Sequence, residues 1–133
     1  MRIITINVNG IRAAERKGFF NWLKKQNADV VCLQEIKAQE DQLDERFYPK
    51  EMYTYYHPAV RKGYSGTGLY CMSKPDKISY SPWEDMNSEG RIIQADFGDL
   101  SVLSIYLPSG SSKEERQALK MAVSYTHLTL PTN

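Results

Sequence analysis

The sequence has almost no net charge. Seventeen lysines and arginines against sixteen aspartates and glutamates leave +1 at pH 7. Such a balance neither demands nor forbids a nucleic-acid partner, because a local basic patch can sit inside a neutral total. Cysteine is scarce: Cys32 and Cys71 are the only two, each inside an apolar run. That is too few for a disulfide framework, and they read as buried, reduced thiols. Neither has a second Cys or His at zinc-ligand spacing. No apolar run approaches the ~20 residues needed to span a bilayer. Met1-Arg2 runs straight into a strand-like stretch rather than a signal peptide. The glycines of Gly63-x-x-Gly66-x-Gly68 are followed by no Gly-Lys-Ser/Thr, which excludes a P-loop, and their spacing is not the dinucleotide fingerprint. They read as a tight turn. These absences leave a cytoplasmic α/β domain without membrane association, and neither internal repeats nor a linker divide it.

What is present is a core and an ordered set of elements. Hydrophobic residues make up 41% of 133, enough for one domain. Arg2 to Val8 is rich in β-branched residues and predicts a strand, broken at Gly10. From Gly18 onward, Phe19, Phe20, Trp22 and Leu23 opposite lysines predict one amphipathic helix. Val30 to Leu33 is a continuous apolar strand, so the first two strands should lie parallel in a βαβ unit. Short strands follow at Tyr53–His57, Leu69–Ser73, Ile78–Ser81, Arg91–Phe97 and Leu100–Tyr106. Phe97-Gly-Asp-Leu100 joins the last two as a hairpin. A helix should start near Ser111 or Ser112, with Glu114 and Glu115 in capping-box positions. The tyrosines Tyr53, Tyr55 and Tyr56 suit strand packing better than base stacking, and His57, before Pro58, suits a turn. The expected fold is α/β, one mixed sheet with flanking helices, parallel at its start and antiparallel later.

The chemistry begins at Glu35. It ends a strand so apolar that both faces should be covered, where a carboxylate is costly unless donors or a cation compensate it. Asn7 lies at the corresponding end of the first strand, and ligands of open α/β sheets bind beyond such strand ends. Two oxygen-bearing side chains there suit a hard cation such as magnesium, which often takes one or two carboxylates plus water and phosphate. The same residues also suit a plainer arrangement, with Glu35 paired to Lys37 or an arginine and Asn7 capping a turn. Arg12, Arg16, Lys17 and Lys37 follow the two strands closely and could meet phosphates, which gives affinity without base readout. Lys24 and Lys25 read as the solvated face of a helix.

Five segments taken in order resemble the exodeoxyribonuclease III family of abasic-site (AP) endonucleases, within the endonuclease/exonuclease/phosphatase superfamily. They are Ile6-Asn-Val-Asn-Gly-Ile-Arg12, Leu33-Gln-Glu-Ile-Lys37, Gly63-Tyr-Ser-Gly-Thr-Gly-Leu69, Glu89-Gly-Arg91 and Tyr106-Leu-Pro-Ser-Gly110. Ile36 stands where the family usually has threonine. The resemblance covers Met1 to about Ala122. It implies a partial four-layer α/β sandwich of the DNase I-like kind, of which this chain is the N-terminal half.

By the resemblance, Glu35 is the magnesium ligand (manganese a possible substitute), and Asn7 supports the metal or orients a catalytic neighbour. Tyr106 reaches the scissile phosphate. Arg91 organises the DNA-binding face together with Arg12, Arg16, Lys17 and Lys37, and Asn9 stands where some relatives carry aspartate. The implied substrate is double-stranded DNA with abasic sites or 3′ ends, cut 5′ to the abasic site or degraded 3′ to 5′, in repair endonucleases classed with abasic-site lyases. The implied parent is a monomer without a partner protein.

The family's Asp-x-Asn and Ser-Asp-His segments, which handle the water and complete the metal site, fall in the second half, so the chain alone should be inactive. About one sheet comes from each half of the family fold, so the inner face of this one should be bare and prone to aggregate. Two other readings remain: a superfamily phosphatase or phosphodiesterase acting on inositol phosphates or lipids, and a non-catalytic short protein that binds DNA or a partner. The charge-free run Val123–Asn133 breaks the pattern and resembles a translated sequencing-adapter tail.

Overall fold

The computed structural model describes residues 1–107. The helix expected from Ser111 or Ser112, the Pro108-Ser-Gly110 part of the last motif and the Val123–Asn133 tail lie outside the described residues.

The chain opens with the βαβ unit that its apolar pattern predicts. Strand β1 (Ile3–Asn7) pairs parallel with β2 (Val30–Gln34), Asn7 opposite Gln34. Between them run two short helices rather than one, α1 (Ile11–Arg16) and α2 (Phe19–Lys24), hinged at Gly18. The second matches the helix expected from Gly18, with Phe19 and Leu23 buried, although Trp22 faces outward at 40% exposure. The first was hidden because only Ile11 of its six residues is buried, too few to print a period.

Strands β3 (Tyr53–His57) and β4 (Thr67–Cys71) complete a four-stranded sheet in the order β1-β2-β4-β3. Both new pairings are antiparallel, as the turn signals imply. Every residue of β4 is buried, and Val30 to Leu33 of β2 are buried too. On one side Val31, Leu33, Tyr56 and Tyr70 pack against Ile11, Phe19, Leu23, Ile36 and Phe47. The buried hydroxyls of Tyr56 and Tyr70 satisfy each other at 2.6 Å, which places Tyr56 in packing rather than at a surface. His57 ends β3 with its ring 4.4 Å from that of Tyr80, so it is a strand residue and not a turn.

The expectation of one sheet with a bare inner face is corrected here. Strands β5 (Lys77–Tyr80), β6 (Ile92–Phe97) and β7 (Leu100–Ile105) form a separate antiparallel sheet, order β5-β6-β7. It lies on the first sheet, packing Ile93, Ala95 and Val102 against Val30, Cys32, Leu69 and Cys71. Alternation along a strand shows which residues face inward but not which sheet the strand joins. Coverage stops short of β1, whose row on that side, Ile3, Thr5 and Asn7, is exposed. A third short helix, α3 (Glu84–Ser88), covers the far side of the second sheet, packing Trp83 and Met86 on Ile92. Helices, sheet, sheet and helix make the four layers. Among the described residues no helix is long and apolar enough to cross a membrane.

Candidate active site

Where β2 ends, the backbone changes hand. Glu35 has φ +56 and Lys37 φ +51, both left-handed, with Asn9 at φ +46 on the neighbouring segment. Non-glycine residues in such conformations cost of order 1–3 kcal/mol each and persist only where the surroundings over-determine them. Here they do. The amide of Gly10 donates to Glu35 O at 2.8 Å, and that of Ile11 to Ile36 O at 2.9 Å. From the other side, Ile36 N donates to Gly66 O at 3.2 Å and Lys37 N to Ser65 O at 2.9 Å. Between these clamps Ile36 is fully buried and lies against Gly66, where a Cβ would come within 2.5 Å of its Cγ1. The glycine cluster is therefore the loop that pins the Glu35 segment, and the departure from threonine at Ile36 gives that segment an apolar anchor.

The carboxylate meets a partner from the second sheet. Tyr106, just past β7, donates its hydroxyl to Glu35 Oε1 at 2.6 Å. Burial above all, then the hydrogen bond to Glu35 and its charge, push the Tyr106 phenol from 10.0 up to about 12; the Arg91 guanidinium pulls the other way. Tyr106 is thus a neutral donor at physiological pH, aimed at the place where β2 and β7 converge. Gln34 ties the same ends together, donating to Thr5 Oγ1 at 3.0 Å and to Ser104 Oγ at 3.2 Å.

Arg91 is buried, its side chain only 1% exposed. It donates to Tyr106 O at 3.0 Å, to Tyr64 Oη at 2.9 Å and to Glu89 Oε2 at 3.2 Å. A guanidinium inside a protein needs this pairing, because an uncompensated buried charge is far costlier than an unmade hydrogen bond. It organises its surroundings. Tyr64 and Glu89 both lie inside the family-like motifs, yet the one signal along the chain that marks either is an aromatic residue next to a glycine of the cluster.

The remaining candidates divide between two grooves. Arg12, Arg16 and Lys37, with Gly10, Ala13 and Gly63, line one concavity of about 360 Å³. Lys17 lines another, about 420 Å³, beside Asn7, Asn9 and Trp22. Lys37 donates to Asn9 Oδ1 at 2.7 Å rather than pairing with Glu35, and Asn7 Oδ1 accepts from Asn9 N at 3.0 Å. Asn7 does therefore cap a turn, as the plainer arrangement had it, while Glu35 accepts from the Tyr106 phenol rather than from Lys37 or an arginine. The triplet Asp85-Met-Asn87 spells Asp-x-Asn, but it sits on α3, where the Asn87 amide donates to Ser81 O.

As a metal site this donor set is partial. Glu35 and Asn7 offer hard oxygens at neighbouring strand ends, which suits a cation that keeps several waters. Among the described residues no group of three or more His, Cys, Asp or Glu side chains could hold a metal ion.

Known proteins share the sequence and fold of this chain. The Endonuclease/Exonuclease/phosphatase family matches residues 4–127. An exodeoxyribonuclease of Bacillus subtilis (strain 168) is 38% identical over 123 residues, covering 91% of this chain and 48% of the relative. The DNA repair nuclease APEX1 of Danio rerio is 35% identical over 115 residues, covering 84% of this chain and 37% of the relative. The Xenopus laevis APE2 catalytic domain superposes with a TM-score of 0.81 at 27% identity, covering 97% of this chain and 52% of that one. An AP endonuclease from Archaeoglobus fulgidus gives 0.76 at 26% identity, covering 98% and 53%. The chain thus spans about half the length, or less, of the proteins it matches.

Proposed function

The chain belongs to the Endonuclease/Exonuclease/phosphatase family, and we propose that it carries part of the active site of a DNA-repair phosphodiesterase acting at abasic sites and 3′ ends. The observation that carries this reading is the Tyr106–Glu35 hydrogen bond at the mouth shared by the two sheets. It sets a hydroxyl donor and a carboxylate side by side, with the Arg12, Arg16 and Lys37 groove built on the same Gly10 and Lys37 segments. Glu35, supported by Asn7, would hold magnesium or manganese, and a bound divalent ion supplies Lewis-acid polarisation of a phosphoryl oxygen.

The chain's own groups do the rest of the work assigned here. Tyr106, protonated throughout the physiological range, gives its one hydroxyl proton to Glu35 here and would turn it to a charged phosphate oxygen when substrate is bound. The guanidinium and ammonium groups of Arg12, Arg16, Lys17 and Lys37 hold the flanking phosphates of duplex DNA without reading sequence. The reaction is a hydrolysis at phosphorus, so elimination of the lyase kind does not describe it. Donors and cations stabilise charge but do not deprotonate water, and we expect the 133-residue chain by itself to leave abasic-site duplex uncut. A monomer in the cytoplasm is the accompanying expectation.

Two assays test the reading. Replacing the glutamate that matches Glu35 with alanine, in a full-length relative, should lower magnesium-dependent nicking by about 10²-fold or more while the fold survives. Near-normal nicking would remove Glu35 from the site. Chelator-sensitive nicking by this chain alone would overturn the expectation that it is inactive. A phosphatase acting on inositol phosphates or lipids ranks lower, because the Gly63-Tyr-Ser-Gly66 and Glu89-Gly-Arg91 segments follow the nuclease pattern. A non-catalytic DNA-binding protein is the second reading that an observation favours, namely the three-cation groove, and salt-sensitive binding to intact duplex without cleavage would support it.

A further inference from the structure

The geometry points to Tyr64 and Glu89 as positioning residues that hold Tyr106 in register with Glu35, and we propose them as such. This rests on the reading of Tyr106 and Glu35 as working groups. Tyr64 and Glu89 form a closed ring with Arg91: Tyr64 Oη donates to Glu89 Oε2 at 2.7 Å, and Arg91 Nη2 donates to Tyr64 Oη at 2.9 Å and to Glu89 Oε2 at 3.2 Å. The ring fixes both ends of one guanidinium nitrogen and leaves the other, Nη1, to hold Tyr106 O at 3.0 Å. The Arg91 carbonyl accepts from Tyr106 N at 2.9 Å, so Tyr106 is gripped through both of its backbone groups. The guanidinium carbon also lies 5.1 Å from the Tyr106 ring centroid and 5.9 Å from that of Tyr64, an attractive placement for a cation over an aromatic face.

The other partner of the working pair is held by the same loop. Ser65 and Gly66, directly after Tyr64, accept from the amides of Lys37 and Ile36, which follow Glu35. One loop therefore reaches Glu35 through its backbone and Tyr106 through Arg91. The Glu89–Arg91 end is seated independently: Thr67 Oγ1 donates to Gly90 O at 3.0 Å, and Gly90 packs so closely that a Cβ would lie 2.4 Å from His57 O. Held at both ends, the loop sets where the phenol and the carboxylate meet.

The test is ¹⁹F NMR of the 133-residue chain carrying 3-fluorotyrosine, with the Tyr106 signal assigned by its loss in Tyr106→Phe. Glu35→Gln marks the position that this signal takes when the phenol loses its carboxylate partner. Tyr64→Phe removes one hydroxyl and Glu89→Gln one charge, and each should move the Tyr106 signal toward that position. A role confined to stability would lower the melting temperature and leave the Tyr106 signal in place, and that result in both variants would overturn the proposal. Should Glu89→Gln fail to fold because Arg91 is left unpaired, Tyr64→Phe decides alone. The nicking assay reports separately: a relative that cuts normally without the tyrosine that matches Tyr106 would sink the functional reading, whatever the fluorine signal does.

Discussion

Replacing Gly66 with alanine should destabilise the chain through two separable effects, and Gly63 and Gly90 supply the scale for reading them. Gly63, Gly66 and Gly90 all have positive φ, +68°, +87° and +57°. A Cβ in a left-handed conformation costs roughly 1–2 kcal/mol. Stiffening the unfolded chain returns about 0.4–1 kcal/mol of this. At Gly63 nothing lies within 4 Å of the added carbon, so the net loss should be about 1 kcal/mol or less. At Gly66 the carbon would sit 2.5 Å from Ile36 Cγ1, and Ile36 is fully buried with little room to turn. Overpacking of that kind adds about 1–3 kcal/mol, giving a total of about 1–4 kcal/mol.

At Gly90 the obstacle is backbone, with His57 O at 2.4 Å and Pro58 C at 2.8 Å. The turn at Gly90 would have to part from the end of β3 and the residues that follow it, and the loss should exceed that at Gly66. Urea denaturation followed by tryptophan fluorescence gives each value. In thermal melts the expected shift is about 3–5 °C per kcal/mol for a chain of this size. The functional consequence is specific to Gly66: moving Ile36 displaces Glu35 and Lys37 on either side of it, so Tyr106 should lose its partner in Gly66→Ala but not in Gly63→Ala. Equal stability losses at Gly63 and Gly66 would refute the argument that Ile36 is wedged against the loop.

Two further outcomes follow from the same structure. Burial pushes the thiols of Cys32 and Cys71 from 9.0 up to about 11, and burial followed by Glu35 pushes Tyr106 from 10.0 up to about 12. Folded-state values raised above the unfolded ones favour the protonated, native form, so this contribution is complete below pH 9 and is lost as pH rises from 9 to 12. Urea midpoints should therefore be flat near pH 8 and fall steeply above pH 9; a midpoint unchanged at pH 10.5 would contradict it. For the basic groove, Arg12→Ala, Arg16→Ala and Lys37→Ala should each weaken duplex binding and reduce the slope of log K against log salt by about 1. Binding that ignores all three changes would show that the groove does not face DNA.

Much of the architecture could be read directly along the chain. The β-branched runs Ile3–Asn7 and Val30–Gln34 announced two strands, and the amphipathic stretch at Phe19–Lys24 announced the helix that makes them parallel. Phe97-Gly-Asp-Leu100 gave the β6–β7 hairpin because two-residue turns demand such residues. Helices α1 and α3 stayed hidden, since six and five residues with one buried position each print no period. Glu35 could be singled out because a carboxylate closing an apolar strand needs an explanation wherever it occurs.

What only the folded chain decided is which partners those residues meet. Glu35 and Tyr106 are 71 positions apart, and no local pattern says that β7 crosses over β2 in a second sheet. The burial of Arg91 was equally invisible, because an arginine between a glycine and an apolar strand looks like a surface cation until its neighbours close around it. The left-handed residues Glu35 and Lys37 run against local preference and are held by backbone hydrogen bonds from the glycine loop on one side and from Gly10 and Ile11 on the other, while Asn9 turns against Asn7. Local chemistry, by itself, determined the strands, the turns and the identity of the carboxylate. Long-range packing determined the second sheet, the buried cation and the hydrogen bond between phenol and carboxylate, since those depend on distances through space that spacing along a chain does not encode.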